Sequence, residues 1–376
     1  MRLPITILVF CVGALLALGL TILFSAELGD TAQYFRNQLL WCCIALPAAL
    51  VAAAVPYQQL RRWWWLVLLL SVALLVLVFL KGKSINGARR WLGPKGGPYL
   101  QPSEFAKIAL IIALAWYGER FRDRMRTFLH GVLIPGAGVG LVLGLVFLEP
   151  DVGTTLLMAC VAATLLLTAG ARLSFFLPPV VVGLVGVGLF IARDPMRSDR
   201  IHSWLNLEET RLNVGHQAFQ AQVAIGAGGI TGRGLGEGRQ KLGWVPEHHT
   251  DFIFSVVAEE LGLVGGGLVL LAYIGIIITG TWIALNAADV FGSLIAMGVT
   301  TLIGVQTFIN VGVVTGTLPN KGLALPFMSY GGSSLLFMLT AVGLLLNVAR
   351  EARSSGRRHA NTGSNPFSDE ALSEAV

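Results

Sequence analysis

One carboxylate stands where a long polar stretch gives way to a long apolar one, in Pro246-Glu247-His248-His249-Thr250-Asp251-Phe252-Ile253-Phe254. Desolvating a carboxylate at such a junction is costly, so an ionisable residue at membrane depth is a functional candidate by default. Flanked by Phe252 and Phe254, Asp251 is placed to take a proton from a hydroxyl as a general base. Thr and Asp are also good helix N-caps, and the two roles are compatible. His249, just before it, joins the candidate site as a substrate-binding residue.

Further polar segments could share that site. Ile85-Asn86-Gly87-Ala88-Arg89-Arg90-Trp91-Leu92 leads into Gln101-Pro102-Ser103-Glu104-Phe105-Ala106-Lys107. Pro102 suits the first turn of a helix. Glu104 and Lys107 are three apart, so they leave one helix face and can pair. At the end of a span such a pair faces the bundle rather than lipid. Trp91 reads first as an interfacial anchor. Glu149-Pro150-Asp151-Val152-Gly153-Thr154-Thr155 is a tight turn between two apolar runs. Asp151 can cap the second run or complete a charge cluster with Glu104 and Lys107. The stretch from Gly316 to Ser334 is punctuated by Pro and Gly, and Lys321 is its one cation. Non-helical backbone at that depth needs protein or a wet cavity beside it. Lys321 is placed for a phosphate, with snorkelling to the interface as the alternative. The glycine-rich run from Gly226 to Gly238 could bring backbone N–H groups up to a phosphate. No strand precedes it, so a Rossmann or P-loop reading fails its context, and a flexible loop is the simpler reading.

The chain that must position these groups is 55% hydrophobic and 13% charged. Soluble domains are about 25% charged, so this is an all-α, polytopic membrane protein. A span needs roughly 20 apolar residues. Ten candidates occur at about 4–25, 38–56, 63–80, 103–118, 129–148, 152–169, 174–192, 252–284, 290–314 and 331–349. The eighth is too long for one straight span and holds Glu259-Glu260 and Gly265-Gly266-Gly267, so it is expected to bend or project. A large extracytoplasmic loop covers about 194–250, and Asn213 to Ile225 within it reads as an amphipathic helix on the membrane surface. One transmembrane domain, 1–350, is followed by a tail, 351–376, rich in Arg, Ser, Gly and Asn and expected to be disordered and cytoplasmic. Cys11, Cys42, Cys43 and Cys160 lie in apolar runs at no metal-ligand spacing and read as small core hydrophobes.

If ten spans alternate, Arg61-Arg62, Arg120, Arg122, Arg124, Arg126, Arg172 and Arg350 fall on one side. The positive-inside rule makes that side cytoplasmic, with both termini inside. The other face is basic too, including Lys81, Lys83, Arg89, Arg90, Lys95, Arg200 and Lys321. Long loops translocate regardless of charge, but the 81–102 loop is short. Its cations point to an anionic ligand on the outer face, such as a lipid pyrophosphate, or to anionic head groups.

Taken in order, these motifs and Ser329-Tyr330-Gly331-Gly332-Ser333-Ser334 resemble the SEDS family of cell-wall polymerases, the FtsW/RodA/SpoVE proteins. The resemblance covers about residues 5–350. Arg239-Gln240-Lys241 and Leu318-Pro319-Asn320-Lys321-Gly322 look like its division branch, FtsW. The resemblance implies ten spans in the bacterial cytoplasmic membrane and polymerisation of peptidoglycan glycan strands from lipid II on the outer face. The 4-hydroxyl of one disaccharide attacks the anomeric carbon of another, and undecaprenyl pyrophosphate leaves. Asp251 matches the family's catalytic aspartate, with the role of general base. Glu104, Lys107 and Asp151 match a polar cluster in the family's central cavity. Arg89, Arg90 and Lys321 are candidates for the pyrophosphate, with Trp91 and His249 as further substrate contacts. A divalent cation, Mg2+ or Mn2+, could share that charge, but no ligand cluster in the sequence demonstrates one. The implied partners are lipid II, the nascent glycan strand, a class B penicillin-binding protein (a transpeptidase) and other divisome or elongasome membrane proteins. No nucleic acid is expected.

Two rival functions use the same groups: a lipid II flippase and a non-catalytic division scaffold. A carrier should have polar groups at both faces or at the midplane. In the sequence the charged groups crowd the outer face and the inner span ends read as plain, which favours an enzyme. Glu259-Glu260, about two turns below Asp251, are the exception, with a Lys or Arg of another span as their simplest partner. The intact Asp251 motif argues against a scaffold.

Overall fold

The structure is a computed structural model and describes residues 2–26, 33–85, 88–94, 99–193, 195–213, 215–239 and 250–362. In chain order the helices are α1 (Arg2–Ala26), α2 (Gln33–Ala54), α3 (Gln58–Lys81), α4 (Pro102–Arg120), α5 (Ile134–Leu148), α6 (Val152–Thr168), α7 (Leu177–Arg193), α8 (Pro195–Leu205), α9 (His216–Gly228), α10 (Ile253–Leu285), α11 (Val290–Val314) and α12 (Gly332–Thr362). The ten apolar stretches therefore become ten helices, with α8 and α9 inside the large loop. Among the described residues, seven helices are long and apolar enough by themselves to cross a membrane. The shortfall is physical. Glu104, Lys107, Glu119 and Arg120 interrupt α4, and α6 and α7 are shorter, at 17 residues each. A hairpin of β1 (Lys83–Ile85) and β2 (Ala88–Trp91) forms the one sheet among the described residues.

Helices α4 and α11 are the core of the bundle. Ala106 through Ala115 of α4 are all buried, as expected of a helix that is apolar on every face apart from Lys107. Around them, α11 packs against α4, α6, α10 and α12, α1 against α10, α2 against α12, and α3 against α4. The outward faces of α1, α2, α3 and α7 expose Leu, Val and Phe side chains, the surface that a bilayer solvates.

The expected bend in α10 falls at Gly262, whose φ is +67°, just before the glycine trio. Only glycine takes that conformation freely. The glycine-rich run is stitched into the break. Leu263 and Val264 donate to the carbonyls of Gly229 and Ile230 at 2.9 and 3.1 Å, and Arg233 and Gly234 donate to those of Glu259 and Glu260, both at 3.0 Å. The N–H groups of Arg233 and Gly234 are occupied by protein carbonyls, so this part of the run is a structural splice. Within the loop, α9 begins at His216 and packs on α10 and α11. At the C-terminus α12 continues as helix to Thr362, so the first part of the segment expected to be disordered is helical. Residues 363–376 lie outside the described residues.

The span ends expected to be plain are not. Where α3 and α11 begin and α4 ends, Arg61 Nη2 lies 2.9 Å from Glu119 Oε1 and 2.5 Å from Asp289 Oδ2. Tyr57 donates to Asp289 Oδ1 at 2.8 Å. The two acids are far apart in the sequence, and only the packing of three helices brings both to one arginine.

Candidate active site

At the opposite end of the bundle lies a cavity of about 550 Å³. Its wall is assembled from β2, the start of α4, the α5–α6 turn, α8, α9, the residues entering α10, and the loop before α12. Six of the nine candidate residues line it: Arg90, Trp91, Glu104, Asp151, Asp251 and Lys321. His249 lies outside the described residues.

Asp251 stands just before α10, where Phe252 holds the N-cap position and Ile253 is the first helical residue. Its Oδ2 abuts Gly322, where a Cβ would come within 2.9 Å. Glycine allows that close approach. Asn310 of α11 holds the two segments together, because its Nδ2 donates to Asp251 O at 2.8 Å and to Leu323 O at 2.7 Å. One turn earlier on the same face, Gln306 accepts from Lys107 Nζ at 3.1 Å and donates to Ala324 O at 2.8 Å. The two amides thus tie α4, Asp251 and the Lys321 loop to one helix. Neither was among the sequence candidates. Their signal was there, since two carboxamides four residues apart inside an apolar span are polar groups facing the bundle.

Lys107 and Glu104 form the expected pair, Nζ to Oε2 2.8 Å. Glu104 reaches the cavity, and Lys107 stays behind it, against Gln306. Asp151 takes the expected cap role but does not join the expected cluster with Glu104 and Lys107. Oδ1 accepts from Thr154 N–H at 3.1 Å and caps α6, while Oδ2 accepts from Gln101 Nε2 at 3.4 Å. Its cation is Arg90, at 3.7 Å, rather than Lys107. Arg90 also donates to Glu149 O at 3.1 Å and Pro150 O at 2.6 Å, so it clamps the α5–α6 turn. It is the extra residue between the Ser84–Arg89 and Lys83–Trp91 pairs of the hairpin, and such bulges re-aim side chains. Arg89, beside it, is exposed and does not line the cavity. Arg200 and Gln217, whose place is decided by the packing of α8 and α9, and Asn320, beside Lys321, line it unanticipated as site residues.

Glu259 and Glu260 do not line the cavity. Glu259 accepts from Arg239 N–H at 2.8 Å and lies 3.6 Å from Arg233 Nη1, and Glu260 accepts from Ser25 Oγ at 2.7 Å. The cation of Glu259 comes from the loop spliced into α10 rather than from another span. Both carboxylates brace the break.

Glu149 adds a titratable group to the α5–α6 turn. Both of its carboxylate oxygens are buried, with no hydrogen-bond partner among the described residues. Burial first, then the neighbouring Asp151 charge, pushes its carboxyl up to about 8, against the pull of Arg90. The folded chain therefore holds this proton more tightly than the unfolded chain. Its contribution to stability is fully present below the ordinary carboxylate pKa and is lost as pH rises towards about 8. Glu149→Gln should flatten that part of the melting-temperature profile and leave the variant more stable than wild type in alkali. Parallel profiles for the two proteins would contradict this.

Among the described residues no group of three or more His, Cys, Asp or Glu side chains could hold a metal ion, and no step is routed through one. The arrangement suits acid–base chemistry beside an anion. Asp251 can accept a proton, and the cations Lys321, Arg200 and Arg90 share the cavity, where they can meet a negative charge as it develops.

Comparison with known proteins agrees with this architecture. The family described as Cell cycle protein, FtsW/RodA/SpoVE, matches residues 2–354. The probable peptidoglycan glycosyltransferase FtsW of Trichlorobacter lovleyi is 40% identical over 352 residues, covering 91% of this chain and 92% of that protein. Stage V sporulation protein E of Bacillus subtilis is 40% identical over 361 residues, covering 93% and 98%. A chain from a study of polymerization and crosslinking by a peptidoglycan synthase complex superposes with a TM-score of 0.77 at 29% identity, over 92% of this chain and 97% of that one. RodA of Thermus thermophilus gives 0.68 at 28% identity, over 92% and 96%. With its helical bundle and one-ended polar cavity, the chain belongs to the FtsW/RodA/SpoVE family of multi-pass membrane proteins.

Proposed function

We propose that this chain is a peptidoglycan glycosyltransferase that extends glycan strands from lipid II at the outer face of the bacterial cytoplasmic membrane. One observation carries the reading: Asp251 and the cations Lys321, Arg200 and Arg90 line a single cavity at one end of the bundle. Asp251 takes the proton of the attacking 4-hydroxyl as its oxygen bonds to the anomeric carbon of a second disaccharide. The bond from that carbon to pyrophosphate breaks, and Lys321 and Arg200 meet the leaving charge. Arg90 contributes charge from the wall while it clamps the turn that carries Asp151. Arg89 adds exposed charge at the hairpin, and His249 and Trp91 complete the substrate contacts. The names of the FtsW relatives favour a role in division, and the synthase complex supports a class B penicillin-binding protein as partner. The arginine-rich span ends lie in the cytoplasm by the positive-inside rule, which puts both termini inside and the cavity outside.

The structure also weighs against a carrier. A carrier needs polar groups at the midplane or at both faces of one path. Here buried apolar side chains, Ile108 through Ala115, fill the middle of α4. The charges at the other end pair among themselves, Arg61 with Glu119 and Asp289. In liposomes with labelled lipid II in both leaflets, the chain and its transpeptidase should polymerise the pool facing the cavity and leave the other in place. Transfer between leaflets without polymer would overturn the reading. Lys321→Ala should raise the Michaelis constant for lipid II more than it lowers turnover, as expected when a group binds ground and transition states alike. An unchanged Michaelis constant would remove Lys321 from phosphate binding.

A further inference from the structure

A second cavity of about 230 Å³ lies between α8, α9 and the turn after α11. Arg200, Gln217 and Asn320 line both cavities, so the two meet at these side chains. The smaller one adds Asp199 and Trp204 from α8 and Gln222 from α9. Trp204 is a fixed plate. Its Nε1 donates to Gly316 O at 2.8 Å, and 37% of the residue stays exposed. Asn320 Nδ2 donates to Gln217 Oε1 at 3.3 Å and steadies the shared wall.

We propose that this second cavity is a saccharide subsite that holds one N-acetylated sugar ring of the growing strand beside the transfer site, a proposal that rests on the glycosyl-transfer reading. The lining selects the ligand. Carboxamides donate and accept at once, which matches hydroxyl and acetamido groups. An indole gives the apolar face of a sugar ring a flat partner and keeps a polar edge for the protein. A phosphate would meet Asp199 as well as Arg200, and an acyl chain would leave Asp199, Gln217 and Gln222 facing hydrocarbon. At about 230 Å³ the cavity has room for a sugar ring. A subsite there keeps the strand on the protein between transfers. It therefore governs product length rather than formation of the first new bond.

The test uses the purified full chain with its transpeptidase and three variants. Ala218→Leu fills the cavity and leaves the Trp204–Gly316 bond in place. Trp204→Ala removes the plate, and Trp204→Phe keeps a ring face but loses the bond. Ala218→Leu and Trp204→Ala should give strands several-fold shorter while the first coupling of two disaccharides stays close to wild type. Trp204→Phe should keep most of the length. Saturation-transfer NMR with a soluble N-acetylglucosamine tetramer should show roughly three- to tenfold weaker binding in Ala218→Leu, the size of a lost aromatic contact. Wild-type strand length in Ala218→Leu overturns the subsite. Equal defects in Trp204→Phe and Trp204→Ala also overturn it, because Trp204 would then merely brace the Gly316 turn. If wild type makes no strand at all, the glycosyl-transfer reading fails, and tetramer binding alone decides the subsite: loss in Ala218→Leu supports it and unchanged binding refutes it.

Discussion

Lys107→Ala is expected to destabilise the chain by about 3–5 kcal/mol, the cost of leaving one partner of a buried ion pair alone. Lys107 is 2% exposed and Glu104 6%, so the variant leaves a largely buried carboxylate without its cation. The variant also frees Gln306 Oε1, whose partner is Lys107 Nζ, and Gln306 holds the loop at Ala324. Activity should fall with stability for that reason. Glu104→Gln combined with Lys107→Met should recover much of the loss, because removing both charges leaves neither stranded. Thermal melting and monodisperse yield in detergent read the effect. A wild-type melting temperature for Lys107→Ala would show that the pair is not what holds α4 in the core.

Asp251→Asn should lower polymerisation by about 10²–10⁴-fold, the usual worth of a positioned general base, with insertion, melting temperature and lipid II binding intact. The substitution keeps the shape of the side chain against Gly322, and the Asn310 bond goes to the backbone carbonyl of residue 251. Loss of activity would therefore report loss of the base rather than of the fold. Normal strand synthesis by this variant would remove Asp251 from the mechanism.

How much of this was legible in the sequence depended on what kind of residue carried the information. Length of apolar run found the helices, because a bilayer sets that length. Charge found Glu104, Asp151, Asp251 and Lys321, because an ionisable group in an apolar chain stands out. Neutral amides do not, so Gln306 and Asn310 went unnoticed although they hold the site together. The break in α10 was expected, but its position at Gly262 is set by hydrogen bonds to a loop far away in sequence. Arg200 and Gln217 reach the cavity only through the packing of α8 and α9. The plain inner span ends were a misreading for the same reason, since Arg61, Glu119 and Asp289 become a cluster only in three dimensions.

The most direct test of the account is polymerisation of labelled lipid II by the purified chain in detergent, alone and with its cognate transpeptidase. Detergent removes any two-sided membrane, so transport cannot contribute to the signal. The account predicts a ladder of glycan strands from the wild-type complex. The absence of a ladder from a verified, folded complex would contradict it and leave the transport or scaffold reading in its place.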